Sequence, residues 1–435
     1  MKNEEKFFIW NTPKRRDLGL FTDLTLFSDT LRLAKEKGAI TGTQLKDELG
    51  HRLQKMRLVI TQSDRVVEDV LRELRIFKWM MLQQAGKQTI RNSPHVITEY
   101  GEKALVLADS DPQAFHKLLI LQMQDVYTIP GWFVARLWNI NPTGQGEVIL
   151  PSPLPDWKTT TRDWEDNAWT DDLEDQTIMS AHKVKQINPG AFPVTELDWL
   201  NSVRDRWKRL SDLLPHQRKN PDLLTYRPRR RLALAMREAC IKLLFDNTPY
   251  HASNPDFPGN RSPLYHRTFM GWCPRLEALE LIFYTDWHPL VNGRVIVPTS
   301  VFRTDTADSR FRRIENVTYK NSILWLHQPG WSDIRIKYLD TLIAAYQLIS
   351  KLRGTLYASL LDVRDEVCRT LRISPELFDL HLQKALDELP SNEYPWSIAV
   401  ETDVREDEIA GAGQLRRGVY LKNIPHTLIA LARIT

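Results

Sequence analysis

Apolar positions along this chain recur mostly at helical spacing, with short stretches of strand character between them. Leu31, Leu33 and Ala34 begin an apolar stripe that stops at Gly38. Thr41 and Thr43 then precede a short helix expected over 44–53. Ser63 offers an N-cap oxygen for a long helix whose inner face carries Val66, Val67, Val70, Leu71 and Leu74. His95-Val96-Ile97 reads as a strand, followed by Thr98, a turn ending at Gly101, and a last helix through Ala104 and Leu105. Asp111-Pro112 breaks the pattern. A helix over 115–124 follows, and the run from Trp132 to Trp138 reads as buried.

Residues 139–195 change character. Pro142, Gly144, Gly146, Pro151, Pro153 and Pro155 punctuate the first part. The second part is acidic, with Trp157, Trp164 and Trp169 among the carboxylates, and is expected to be a long loop or insert at about 156–180. Residues 196–246 turn helical and basic, and 247–335 look β-rich. Strands are expected at 281–284, 294–298 and 321–326, with Asn292-Gly293 as a tight-turn pair joining the first two. Beyond 336, helices are expected over 338–352 and 360–371. Ser374-Pro375 opens a third helix through Leu389, and strands at 396–401, 418–421 and 427–432 would form one sheet.

The order of elements between Phe27 and Asp109 resembles the winged helix-turn-helix superfamily, and 336–435 resembles it more weakly. The resemblance implies a mainly α fold with small β-sheets (α+β), multidomain, with winged-helix modules at both ends around a mixed central region. The expected organisation is an arm at 1–26, a winged helix at 27–109, a helical linker region with the acidic insert and a basic helix at 110–246, a β-rich region at 247–335 and a second winged-helix-like domain at 336–435. It also implies that the long helix beginning near Ser63 is the one that enters a DNA groove.

Composition narrows the function. A chain of 435 residues is expected to hold two to four domains, and its 42% apolar and 26% charged residues are those of a globular protein. No apolar run reaches the roughly 18 to 20 residues that span a bilayer, and the start lacks a signal-peptide pattern. A cytoplasmic protein without a membrane partner is therefore expected. Cys240, Cys273 and Cys368 are far apart, which argues against a disulfide framework and a zinc finger. The net charge of +4 is modest, so the clustering of the basic residues carries more information than their total.

Arg65, Arg72 and Arg75 lie on the expected recognition helix, the first two seven apart and hence on one face. Arginine pairs bidentately with guanine edges and phosphates. Arg52, Lys55 and Arg57 precede that helix. Arg227, Arg229, Arg230 and Arg231 crowd the front of another helix, where positive charge adds to the helix dipole and calls for an anion. Lys14-Arg15-Arg16 is a further basic cluster. In the last domain the third helix carries Glu376, Asp379, Asp387 and Glu388, a face that would repel phosphate. Only Arg416 and Arg417 on the wing side are suited to DNA there, so that domain reads as an interaction module.

No phosphate-binding glycine loop, zinc-protease or nucleophile-elbow motif occurs. Glu147 with Asp156-Trp157-Lys158 is the nearest approach to a nuclease metal site, and the intervening prolines would spoil its strand. His251, His266, Cys273 and His288 lack zinc-ligand spacing, and no cofactor or metal is expected. The leading expectation is a non-enzymatic subunit of a larger DNA-processing or bacterial (antiviral) defence assembly. Its expected partners are double-stranded DNA, a helicase or nuclease subunit, and a further copy of itself. A protein scaffold, a metal-dependent nuclease and a transcriptional regulator stand as alternatives.

Overall fold

The computed structural model describes residues 21–50, 60–83, 92–151, 169–187, 195–212, positions 232, 235, 236 and 239–241, and residues 272–304, 308–402 and 418–433, apart from the single positions 22, 128, 292 and 423. The fold is mainly α with small antiparallel sheets.

The first module begins with α1 (Thr25–Lys37), whose buried face is Leu26, Phe27, Leu31 and Ala34. Ile40 forms an isolated bridge to His95. The second helix, α2 (Gly42–Glu48), is shorter than the expected 44–53 at its described end and starts earlier. Thr41 accepts from the Gln44 N–H, and the Gln44 side chain returns to Thr41, so the cap fixes the first turn at Gly42. The long helix α3 (Ile60–Ile76) starts before Ser63, which therefore lies inside it rather than capping it. Val66, Val67, Val70, Leu71 and Leu74 form its buried face, as the 3.6-residue spacing requires. Strands β1 (Met80–Leu82) and β2 (His95–Ile97) pair antiparallel. Thr98 then caps α4 (Glu99–Ser110), and its hydroxyl also donates to the Lys78 carbonyl at 2.6 Å.

An aromatic chain carries this core onward. Phe27, Phe77, Trp79 and Phe115 lie ring to ring at 5.4–6.1 Å. Phe115 belongs to α5 (Pro112–Tyr127), longer than the expected 115–124 because Asp111 ends α4 and Pro112 restarts a helix at once. Next comes α6 (Ile129–Ile140), buried along nearly its whole length, as the run from Trp132 to Trp138 anticipates.

The insert is where the loop expectation fails. Residues 171–187 form a helix, α7 (Asp171–Ile187). Asp171, Asp172 and Glu174 occupy its first turn, where carboxylates complement the helix dipole, so acidity here marks a helix start. It packs on α8 (Glu196–Asp212) through the indole N–H of buried Trp199, which donates to the Thr177 carbonyl and the Ser180 hydroxyl at 3.0 Å each. Trp169 stacks edge-on against Trp207 at 6.1 Å.

A central sheet of β3 (Val148–Pro151), β5 (Gly293–Pro298) and β4 (Ile282–His288), in that order, joins the two halves. Its side chains alternate between two cores. Val148, Leu150, Ile282, Tyr284 and Ile296 face the first core, and Ile149, Phe283, Val295 and Val297 face the second. Gly293 is not a turn residue. It pairs with His288 inside the sheet, and a Cβ there would meet the Leu150 carbonyl oxygen at 2.7 Å, so glycine admits β3. A second sheet, β6 (Ser300–Arg303), β8 (Ser322–His327) and β7 (Phe311–Tyr319), packs on α5 and α6.

The last module contains α9 (Trp331–Arg353), β9 (Ala358–Ser359), α10 (Leu360–Leu371) and α11 (Pro375–Glu388). Ser359 and Ser374 cap the latter two helices. The expected three-strand wing is rearranged. β13 (Leu428–Arg433) lies between β10 (Trp396–Glu401) and β9, while β11 (Val419–Leu421) leaves that sheet to pair with β12 (Ile424–His426). The two end modules are similar in order, each running helix, short bridge or strand, helices and then strands, with the final strand returning to pair with the first strand position; the last module adds the β11–β12 hairpin before that strand.

Candidate nucleic-acid interface

In the first module, α3 is held at both ends of its described side chains. Near its front, Asp64 binds the Lys46 ammonium of α2 at 2.7 Å. Toward its back, Glu73 is buried and binds Arg275 at 2.9 Å. Between them, Asp69 pairs with Arg72. Asp69 and Glu73 both lie within the electrostatic reach of buried Tyr127, whose ionisation burial opposes. The back half of the helix is thus clamped to the body.

The arginines expected on this helix therefore differ. Arg65 is exposed. Arg72 lies on the same side by spacing, yet its side chain is only 13% exposed and is engaged by Asp69. Arg75 is half-buried, and its charge adds to the burial that lowers the pKa of His95. Arg227, Arg229, Arg230, Arg231, Arg416 and Arg417 lie outside the described residues, as do Arg52, Lys55, Arg57 and the cluster at 14–16.

The described elements do give the basic segments an order. Residues 51–59 link α2 to α3 and contain Arg52, Lys55 and Arg57. Residues 84–91 link β1 to β2 and contain Lys87 and Arg91, which no motif or cluster in the sequence marks. Their position between two paired strands was the available signal, hidden because β1 is three residues long.

In the last module, the turn between α10 and α11 is occupied by other parts of the chain. Arg372, in the α10–α11 turn, donates to the carbonyls of Gln145 and Gly144, the latter at 3.1 Å. The Arg372 carbonyl lies 3.1 Å from His327 Nδ1. Arg369 bridges Glu147 at 2.5 Å and Glu366 at 3.2 Å. Glu366 in turn lies 3.1 Å from the fully buried His288. Burial raises the Glu366 pKa, but His288 and Arg369 outweigh it and hold the carboxyl below its usual range.

The acidic-face expectation for α11 needs correction. Asp379 and His381 are buried. Asp379 accepts from the Tyr420 N–H at 3.3 Å, and His381 packs 5.6 Å from Trp331. Glu388 is taken by the Trp331 indole at 2.6 Å and by Arg335 at 2.9 Å. Helical spacing alone turns two of these polar residues inward, and helix-to-helix pairing absorbs a third.

The neutralisation of Arg204 is likewise local. Glu174 on α7 binds it at 2.8 Å, and its guanidinium lies 5.4 Å from the Trp169 ring. Of the nuclease-like set, Glu147 is engaged by Arg369, and Asp156 and Lys158 lie outside the described residues. Among the described residues no group of three or more His, Cys, Asp or Glu side chains is arranged to hold a metal ion. No described helix is long and apolar enough to cross a membrane. Compared with known proteins, the chain matches no family model, no curated protein and no solved structure.

Proposed function

We propose that this chain is a non-enzymatic, winged-helix DNA-binding subunit of a larger DNA-processing or defence assembly, in which only the first module meets the duplex. The single observation that carries this reading is the asymmetry between two end modules of similar element order. In the first, Arg275 holds Glu73 at the back of α3 and Lys46 holds Asp64 at its front, yet Arg65 beside Asp64 stays exposed. The corresponding edge of the last module is occupied by Gly144, Gln145, Glu147 and His327. A helix that reads DNA needs its N-terminal half open and positive. The clusters at Arg227, Arg229–Arg231 and Arg416–Arg417 would add phosphate contacts.

The test is titration of a short duplex at several salt concentrations. The expected plot of log affinity against log salt is steep, with a slope of about −0.9 for each phosphate neutralised. Charge reversal at Arg65, Lys55 and Arg57 is expected to flatten it. Weak binding that ignores salt would sink the proposal.

A scaffold role is the second reading. It is favoured by the pairing of Lys46 and Arg72 with acidic neighbours, which lowers the field along α3. Variants with Arg229–Arg231 reversed that keep DNA binding but lose a co-purifying protein would support it.

A further inference from the structure

The long helix α9 carries an apolar ridge that none of the described residues covers. Ile336, Leu348 and Leu352 are 61%, 51% and 61% exposed, on a spacing of four residues that also passes through Asp340 and Ala344. Rows of side chains four apart are the ridges by which helices interlock. Beside the ridge runs a groove of about 380 Å³ between α9 and the start of β10, walled by Ile343, Ala344, Gln347, Tyr394, Pro395 and Trp396. One face therefore holds both a protruding ridge and a recess.

The charges on the same helix are arranged to match themselves. Asp340 and Lys351 flank the stretch from Ile343 to Leu348, one on each side, and both are exposed. Asp340 uses one oxygen to accept from the Tyr394 hydroxyl at 3.1 Å, which fixes its carboxylate at the groove's rim. If two such helices cross antiparallel about the middle of that stretch, Asp340 faces Lys351 of the partner subunit, and the reverse pair forms by symmetry. Small Ala344 lies near the crossing, where close approach is needed. A two-fold interface demands such self-complementarity, because each patch meets its own copy.

We propose that the partner for this face is a second copy of the chain, and that the protein is a two-fold homodimer joined through α9 with Leu348 and Leu352 of each copy seated in the other's groove. The dimer is argued from α9 and the groove beside it and requires nothing of the DNA-binding reading.

The test uses the full chain, with mass measured by sedimentation equilibrium over a concentration series. The expected result is a dimer that Leu348→Glu/Leu352→Glu converts to monomer while circular dichroism stays unchanged. Asp340→Lys and Lys351→Asp are each expected to weaken dimerisation about tenfold, and the double swap to restore it, because the swapped pair is again self-complementary. Gln347→Cys should form a disulfide-linked dimer under mild oxidation. A native chain that stays monomeric at the highest soluble concentration overturns the proposal. So does a dimer indifferent to the leucine and charge variants.

Discussion

Arg275 and Glu73 stand 202 residues apart in the chain and meet with neither side chain exposed. Removing two charges from water is costly, and the cost is offset only where the remaining donors are satisfied. Arg275 meets that condition: its Nε donates to the Phe21 carbonyl at 3.0 Å, and its guanidinium lies 4.2 Å over the Phe21 ring. The pair fixes the back of α3 against the short helix at 272–278. Breaking one partner strands the other, so Arg275→Met is expected to cost about 3–5 kcal/mol. The double change Glu73→Leu/Arg275→Met should cost much less. Urea unfolding midpoints of the two variants against the native chain check this, and equal losses would contradict the paired account.

At the scale of elements, the contact between α4 and the β1–β2 hairpin turns on one glycine. A Cβ at Gly101 would lie 2.1 Å from the Trp79 carbonyl oxygen and 2.9 Å from the Ile97 side chain. Neither the backbone oxygen nor the strand can move without loosening the hairpin. Gly101→Ala raises intrinsic helix propensity, yet it is expected to destabilise by about 1–3 kcal/mol or more through overpacking. Hydrogen exchange should show faster exchange at Met80–Leu82 and His95–Ile97 in the variant. Unchanged protection there would mean the helix adjusts instead. The sequence marks Gly101 as a turn end. The structure places it one residue into the first turn after Glu99–Tyr100, where close approach rather than backbone freedom calls for glycine.

Over the whole molecule, four buried or partly buried histidines are spread across its parts. Burial lowers the pKa of His95 in the first module, of His116 on α5 to about 4, of His327 on β8, and of His381 on α11 to about 4. Arg312, whose Nη2 lies 2.9 Å from His116 Nδ1, adds to the effect there. Each folded pKa lies below that of an unfolded histidine, so the unfolded chain takes up protons first as pH falls. For His116 and His381 the contribution is full above about pH 6.5 and is lost on the way down to about 4, and His95 and His327 act in the same direction. Glu277 runs the other way. Burial raises it to about 8, so its contribution is full below its ordinary 4.5 and is lost as pH rises through 8. Stability is therefore expected to peak near about pH 6.5. Thermal unfolding across pH checks this, and His116→Asn/His381→Gln should flatten the acid limb. A monotonic rise in stability from pH 5 to 9 would contradict it.

The sequence by itself determined that helices occupy most of Thr25 to Ile140 and Trp331 to Glu388, that β4 and β5 are neighbouring strands, and that Ser374 caps the helix after it, while the caps at Thr41 and Thr98 emerged only with the fold. The former depend on interactions among residues a few positions apart, which a chain states openly. Only the tertiary structure decided which charges remain outward. Arg72 is engaged by Asp69, Arg204 by Glu174, Glu388 by Arg335, and Glu147 by an arginine 222 residues away. The sharing of one sheet between two cores was equally illegible, because alternation along a strand shows that two faces differ, not what covers each. A charge pattern lists possible partners, and the fold selects among them by distance and burial.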